Sequence, residues 1–324
     1  MPPDPAAALE PWAPDVALAP PPDTTRVPDG FVVAADDGSR LHFLDWRGPS
    51  GEGWGARPAA SPARPGVLLL PGLLQPAWSW APVARRLAAV SRVVVADLRG
   101  QGLSDAPMTS YDPATLAGDA VAVAEGSGLL ASGPIVVAGH GFGGIVATAT
   151  GVALGERCAG IVLADGGWER LEVTTDTDVE EFLRGLDEPP EVLRTIDAYL
   201  ADRRGFDPAT WDADQERAAR DAVVETAAGH VVRAVRPHVV ESIVREMFGW
   251  DPALGLAAVE APVAVLVALG AGDPDARLAE LRRTATARAA AGRSPIRITG
   301  FAGIAHNLMR YRPADVTAAI LGAG

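Results

Sequence analysis

The sequence has a single cysteine, no long apolar run and no leader-like start. Because Cys158 has no second cysteine to pair with, an internal disulfide is excluded. Its position at the start of an apolar run favours a buried, inert thiol. No uninterrupted stretch of roughly 18 apolar residues occurs, so we expect no transmembrane helix. Residues 1–27 lack the basic and apolar regions of a secretory signal, and we expect a cytoplasmic protein.

Positive charge is also scarce. The chain has 28 basic against 41 acidic residues and a net charge of −13, so it lacks the basic clusters that nucleic acids and anionic membranes attract. His230 and His238 have neither cysteines nor clustered carboxylates at ligand spacing, which argues against a metal site. We therefore expect a small-molecule substrate, no cofactor, and no nucleic-acid or membrane partner. A homo-oligomer is compatible with the sequence.

Short apolar runs alternate with helical patterns over most of the chain, which predicts an α/β fold with a mostly parallel sheet. A hairpin comes first, with Asp37-Gly38 as the turn between residues 31–33 and 41–43. The later runs are continuous rather than alternating, as in strands buried on both faces; they are residues 67–70, 92–96, 135–138, 160–164, 262–269 and 296–298. The predicted helices are residues 80–88, 113–125, 145–153, 277–291 and 313–321.

The character of the sequence changes between residues 166 and 256. Apolar residues recur there at helical spacing and strand-like runs are nearly absent, which predicts a helical cap inserted into a core of residues 28–165 and 257–324. Residues 1–27, rich in Pro and Ala, predict an extended surface arm. Trp12 is its candidate anchor. Residues 49–65, full of Gly, Pro, Ala and Ser, predict a surface loop.

The segment from Gly139 to Gly144 is the centre of the prediction. An apolar strand precedes it and a helix follows it, so the glycine-rich hexapeptide forms a sharp strand-to-helix turn. This is the setting of a nucleophile elbow, in which a Ser, Cys or Asp stands between small residues. The residue in that position here is Gly141.

Five motifs, in order, resemble those of the α/β-hydrolase superfamily, in its capped branch of esterases, lactonases and epoxide hydrolases. The likeness extends from about Gly30 to the end of the chain. The motifs resemble an oxyanion loop, an Asp-x-Arg-Gly-x-Gly-x-Ser turn, the elbow, an acid loop and a histidine loop; they are Pro71-Gly72-Leu73, Asp97 to Ser104, Gly139 to Gly144, Gly270 to Asp273, and Gly303 to His306. The resemblance implies a doubly wound, mostly parallel sheet with an inserted helical cap.

The resemblance also implies roles for individual residues. His306 would be the general base and Asp273 the acid that orients it, with Asp275 and Asp165 as alternative acids. The backbone N–H groups of Leu73 and Phe142 would stabilise an oxyanion. His140 is expected to pack under the elbow, and Asp97 and Arg99 to form a structural turn and ion pair.

Aromatic and apolar side chains at the boundary between core and cap suggest a hydrophobic substrate. The predicted substrate-binding residues are Gln75, Trp78, Trp168, Phe248 and Met309, with Trp250 beside them. We therefore expect an enzyme that hydrolyses a small apolar ester- or lactone-type carbonyl compound.

Gly141 leaves three hypotheses open. In the first, a natural enzyme uses His306 without a covalent step, either to activate water or to move a proton in a lyase, cyclase or epimerase reaction. In the second, Gly141 replaces the Ser of an ordinary hydrolase, as an inactivating substitution. In the third, the protein is a non-catalytic small-molecule receptor. The predicted His306–Asp273 pair disfavours the third, because a receptor needs no aligned acid–base pair.

Overall fold

A computed structural model describes residues 8–49, 51, 64–186, 195–270 and 272–324. Most of the predicted loop at residues 49–65 lies outside these residues. The strands are β1 Leu9–Pro11, β2 Asp29–Ala34, β3 Arg40–Trp46, β4 Gly66–Leu70, β5 Val93–Ala96, β6 Ile135–His140, β7 Cys158–Ala164, β8 Val223–Glu225, β9 Val231–Arg233, β10 Val263–Leu269 and β11 Ile296–Ala302.

The helices lie between these strands and at the end of the chain. The α-helices are α1 Ala81–Leu87, α2 Pro113–Gly126, α3 Phe142–Leu154, α4 Leu171–Thr174, α5 Val179–Leu186, α6 Ile196–Phe206, α7 Ala213–Asp221, α8 Pro237–Gly249, α9 Pro252–Ala258, α10 Pro274–Ala290, α11 Leu308–Tyr311 and α12 Pro313–Leu321. Short 3₁₀ turns occupy Val16–Leu18, Ala77–Trp80, Leu129–Ser132, Gly155–Arg157 and Pro208–Thr210. Among the described residues, no helix is both long and apolar enough to span a bilayer.

Nine strands form one sheet in the order β1-β11-β10-β7-β6-β4-β5-β3-β2. β2 pairs with β3 and β3 with β5 in antiparallel fashion, and the other pairs are parallel. The central strands are fully buried, which explains their continuous apolar sequences. The carboxyl ends of β4, β6, β7, β10 and β11 therefore share one edge, where ligands of open α/β sheets bind.

Helices cover both faces of the sheet. One apolar core lies against α2, α3, α8 and α10, and the second lies against α1, α11 and α12. Between β7 and β10 the chain forms α4 to α9 and the β8–β9 hairpin. This segment overlaps residues 166–256, the predicted cap, and ends at Ala258; among its described residues the β8–β9 hairpin departs from the helical pattern. A buried ion pair of 2.7 Å between Arg85 of α1 and Asp214 of α7 joins it to the core.

Cys158 begins β7 and is buried. Burial raises the pKa of its thiol to about 11, which favours the expected inert character.

Candidate active site

Gly141 occupies the turn between β6 and α3, with φ of 53° and ψ of −121°. Glycine adopts a positive φ readily, whereas a residue with a side chain is strained there. Backbone contacts tighten the turn further, because a Cβ on Gly139 would lie 2.0 Å from the carbonyl oxygen of Gly143. The geometry is that of the predicted elbow, with no side chain at its tip.

His306 lies in the loop between β11 and α11, with its ring beside Gly141. Its Nδ1 is 2.6 Å from Oδ2 of Asp165, and a Cβ built on Gly141 would lie 3.2 Å from Nε2. One ring nitrogen is thus held by a carboxylate, while the other faces the position that a nucleophile's side chain would occupy. Such a dyad fixes the tautomer that leaves Nε2 free to accept a proton.

The structure corrects the assignment of the acid: Asp165, and not Asp273, meets His306. Oδ1 of Asp273 instead accepts hydrogen bonds of 2.9 and 3.3 Å from the backbone N–H groups of Asp275 and Ala276. It is therefore the N-cap of α10, followed by Pro274 at the first helical position. An Asp-Pro pair directly before a helical pattern is a capping signal, and it was present in the sequence.

Asp165 follows β7 and is almost completely buried. Its Oδ1 accepts from the Ala268 amide at 2.7 Å and from Nη2 of Arg277 at 3.0 Å. Burial raises the pKa of the Asp165 carboxyl, but the hydrogen bond from His306 and the charges of His306 and Arg277 outweigh it. The net pKa is lowered, so Asp165 is an anion at neutral pH.

Two glutamines hold the loop after β4 beside the elbow. Oε1 of Gln75 accepts from the Gly72 amide at 3.1 Å, and Nε2 of Gln101 donates to the Gly72 carbonyl at 3.2 Å. Leu73 and Phe142 both line the cavity next to Gly141. Neither of their amides has a hydrogen-bond acceptor among the described residues, as an oxyanion site requires.

A cavity of about 420 Å³ opens above the elbow, between the sheet edge and the inserted segment. Its walls are mainly apolar, and its charged side chains are those of Asp165, Glu169, Arg277 and His306. The main apolar side chains lining it are Leu73, Leu74, Phe142, Ile145, Leu171, Phe182, Leu186 and Met247.

The predicted binding residues differ in where they lie relative to the cavity. Gln75 lines the cavity, but Trp78, Trp168, Phe248 and Met309 are not among its described walls. Trp78 contacts the Trp46 ring and the Arg217 guanidinium instead, whereas Trp168 and Met309 are fully buried in the core. Phe248 supports the wall indirectly by packing edge-on against Phe182, with ring centroids 5.5 Å apart. Trp250 donates to the Gly167 carbonyl at 3.0 Å.

The sequence reasoning did not assign to the site the apolar side chains that α4, α5 and α8 contribute to the wall; they are Leu171, Phe182, Leu186 and Met247. Helical spacing marked these segments as amphipathic, but it does not distinguish a face lining a cavity from a face packed on the core. It also missed Glu169 and Arg277, which line the cavity floor behind Asp165.

Two further expectations concern polar residues near the site. Asp97 caps its turn by accepting from the Ala77 and Leu103 amides, while Arg99 pairs with Asp119 at 2.7 Å rather than with Asp97. In the described part of the chain, no three His, Cys, Asp or Glu side chains are grouped to hold a metal ion.

A sequence model described as the alpha/beta hydrolase family matches residues 67–320, which is most of the chain and includes both the elbow and His306. The chain belongs to this family. The fold and family predicted from the five motifs are thereby confirmed.

Solved structures of hydrolases resemble at least 90% of the chain. E-2-(acetamidomethylene)succinate hydrolase superimposes with a TM-score of 0.69 at 18% identity, covering 91% of this chain and 99% of that one. An enol-lactonase from Burkholderia xenovorans LB400 gives 0.62 at 19% identity, covering 90% and 98%. A deformylase of N-formylmaleamic acid from Pseudomonas putida S16 gives 0.61 at 22% identity, covering 90% and 100%. At these identities the likeness concerns the fold.

Proposed function

We propose that this member of the family is a cofactor-free hydrolase of small, neutral, largely apolar esters or lactones, in which His306 activates water directly. The observation that carries the proposal is the place of Nε2, which faces the side-chain position of Gly141 at 3.2 Å. A water oxygen near that position lies within hydrogen-bonding reach of the base. The acid–base dyad and the two free amides remain, although the elbow has no atom that could carry an acyl group.

The reaction proceeds in two steps. Nε2 of His306 takes a proton from water while the water oxygen bonds to the carbonyl carbon, and the carbonyl π electrons move to the oxygen. The Leu73 and Phe142 amides donate to this oxyanion, and Asp165 stabilises the imidazolium. The oxyanion then reforms the carbonyl, the bond to the leaving oxygen breaks, and His306 returns its proton to that oxygen. Ester and water become acid and alcohol.

The charges in the cavity support a neutral substrate. The described lining residues that carry charge are Asp165, Glu169, Arg277 and His306. Arg277 directs its hydrogen bonds to Glu169, Asp165 and the Ala268 carbonyl, so its positive charge is already matched. A substrate carboxylate would find no uncompensated cation among these residues, whereas the apolar walls suit an alkyl or aryl group.

Single-turnover kinetics with an activated ester tests the proposal. We expect hydrolysis without a burst, no acyl adduct in the intact mass, and no labelling by a fluorophosphonate, because no covalent step exists. His306→Ala should lose about 100-fold or more in kcat/KM, and Asp165→Asn most of that factor. Full activity in His306→Ala, or an acyl adduct on the parent protein, would overturn the proposal.

Gly141→Ser is the matched positive control. A Ser Cβ requires the exposed His306 ring to move by a few tenths of an ångström, and positive φ costs on the order of 1 kcal/mol. The variant should gain both the burst and the label, and the His306→Ala background should remove them. A folded but inert Ser variant, together with exchange of a substrate C–H proton and no uptake of oxygen from ¹⁸O-water, would identify the proton-transfer class instead.

A further inference from the structure

Arg277 and Glu169 form a buried charged pair directly behind the dyad. Nε and Nη2 of Arg277 donate to the two oxygens of Glu169 at 2.9 and 2.8 Å. Nη2 also reaches Oδ1 of Asp165 at 3.0 Å, and Nη1 reaches the Ala268 carbonyl at 2.6 Å. The planar fork of an arginine thus joins both carboxylates, which a lysine ammonium does not reproduce.

The surroundings fix this pair in place. The Trp168 ring lies under the guanidinium, with 4.9 Å between Cζ and the ring centroid, and both charged side chains are about 8% exposed. Asp165 itself has φ of 54°, a strained value for a residue with a side chain. Such strain persists where neighbouring bonds over-determine the conformation. Arg277 and the Ala268 amide supply those bonds on the side opposite His306.

We propose that Arg277 and Glu169 act as a charge-balanced clamp that holds Asp165 against His306 and sets the pH range over which the dyad is protonated. The proposal concerns positioning, and its relevance to catalysis rests on the proposed hydrolase function. Burial lowers the pKa of Arg277, but hydrogen bonding to Glu169 and the charges of Glu169 and Asp165 raise it by more, so it stays a cation.

The net charge behind the imidazole determines how the clamp acts. Asp165 and Glu169 contribute two negative charges and Arg277 one positive charge, which leaves a single negative charge facing His306. The other titratable group against the ring is His140, at 4.4 Å between ring centroids, and burial keeps it neutral. One imidazolium charge on His306 therefore balances the cluster.

Opposite substitutions should move the His306 titration in opposite directions. Arg277→Met leaves two negative charges and should raise the midpoint of the ring's NMR titration by about one pH unit. Glu169→Gln leaves a neutral cluster and should lower the midpoint by a similar amount. The Glu169→Gln/Arg277→Met double variant restores the single negative charge, so its midpoint should return to that of the parent.

Matched controls separate this effect from a change in overall charge. Arg283→Gln and Glu280→Gln change the charge by the same amounts on α10, the helix of Arg277, but Arg283 pairs with Glu280 and Asp251, and Glu280 pairs with Arg283 and Arg170, rather than with the dyad. They should leave the midpoint in place. Arg277→Lys keeps the charge but loses the fork, so the midpoint should stay while kcat falls.

The titration is read on the folded protein by imidazole ¹³C and ¹⁵N shifts, and His306→Ala assigns the signal among the five histidines. The clamp is supported if the two single variants shift the His306 midpoint in opposite directions, the double variant returns it to the parent value, and the control variants leave it unchanged. Unmoved midpoints, or shifts of the same sign, overturn it. If Arg277→Met does not fold, Glu169→Gln and the double variant still decide. Because the readout needs no turnover, failure of the clamp is distinct from failure of the hydrolase proposal, which the kinetics test separately.

Discussion

His140 is the second imidazole of the site and plays a different part from His306. Its Nδ1 lies 2.9 Å from Oε1 of Gln75 and its Nε2 lies 3.0 Å from the carbonyl oxygen of His306. It therefore links the oxyanion loop to the histidine loop beneath the elbow. A neutral ring has a single N–H and therefore donates to only one of these two oxygens.

Burial should make the stability of the protein depend on His140. Burial, followed by the charge of His306, lowers the pKa of the His140 ring to about 3 from 6.5. Between these values the unfolded chain binds the proton and the folded chain does not. The free energy of unfolding should therefore fall as pH decreases from about 6.5 towards 3, and be fully retained above 6.5.

Urea unfolding at several pH values between 4.5 and 7 measures this dependence. His140→Gln keeps a donor for the His306 carbonyl but cannot titrate, so its unfolding midpoint should vary less with pH than that of the parent. The difference between the two slopes isolates His140 from the other histidines. Equal slopes would show that His140 is protonated in the folded protein.

Two of the three candidate acids, Asp165 and Asp273, show where residue-level prediction ends. Asp165 follows β7 and Asp273 follows β10, and these strands are neighbours whose ends share one edge of the sheet. Because each follows one of these strands, the sequence predicts that both lie near His306. The choice between them depends on the path of the loops: Asp273 uses its carboxylate to cap its own helix, whereas Asp165 is turned inward at a strained φ. No local pattern encodes that turn.

At the scale of elements, the N-terminal arm joins the sheet. β1 pairs in parallel with β11, and the Trp12 amide donates to the Ile298 carbonyl at 2.8 Å. Arg297 stacks on the Trp12 ring at 4.6 Å, and Thr299 donates to the Trp12 carbonyl at 2.6 Å. The predicted anchor thus follows the edge strand β1 and bonds to β11, the strand that precedes the His306 loop.

Trp12→Ala should therefore lower the melting temperature. Loss of a partly buried indole and its cation–π contact costs about 1–3 kcal/mol, or several degrees for a chain of this size. Leu18→Ala, an exposed substitution in the same arm, should have little effect and serves as the control in differential scanning calorimetry. A melting temperature that is equal in the two variants would mean that the arm contributes no stability.

Element prediction succeeded where one physical cause dominates. The continuous apolar strands β4, β6 and β10 were predicted to within two residues at each end, because a strand that is buried on both faces consists almost entirely of apolar residues. The helix after the elbow begins three residues earlier than predicted, at Phe142, because its glycines pack against the sheet. The cavity walls could not be predicted, since they depend on how α5 and α8 sit over the sheet.

At the scale of the whole molecule, charge is distributed in an unusual way. All 28 basic residues are arginine, and the acidic excess remains large. Several arginines are buried and join separate layers: Arg85 binds Asp214 of the inserted segment, Arg99 binds Asp119 of α2, and Arg288 binds the carbonyls of Leu256, Val259 and Ala261. Arginines committed to these internal bonds are not available to attract an anionic substrate.

The substrate preference should follow from this distribution. We expect p-nitrophenyl hexanoate to be hydrolysed with at least a tenfold higher kcat/KM than the p-nitrophenyl monoester of adipic acid, a chain of the same length that ends in a carboxylate. The described walls of the cavity offer the carboxylate no free cation, and the net charge of −13 opposes its approach. Raising the salt concentration from 20 to 500 mM should reduce the ratio of the two kcat/KM values, because salt screens the long-range part of the repulsion. The preference should not disappear, because the desolvation cost inside the cavity is little screened.

Binding of the neutral product analogue hexanol should show a negative heat-capacity change, as burial of apolar surface requires. If the adipate monoester proved the better substrate, a cationic subsite would exist near the cavity, and the substrate class proposed from its described walls would be wrong even though water activation by His306 could stand.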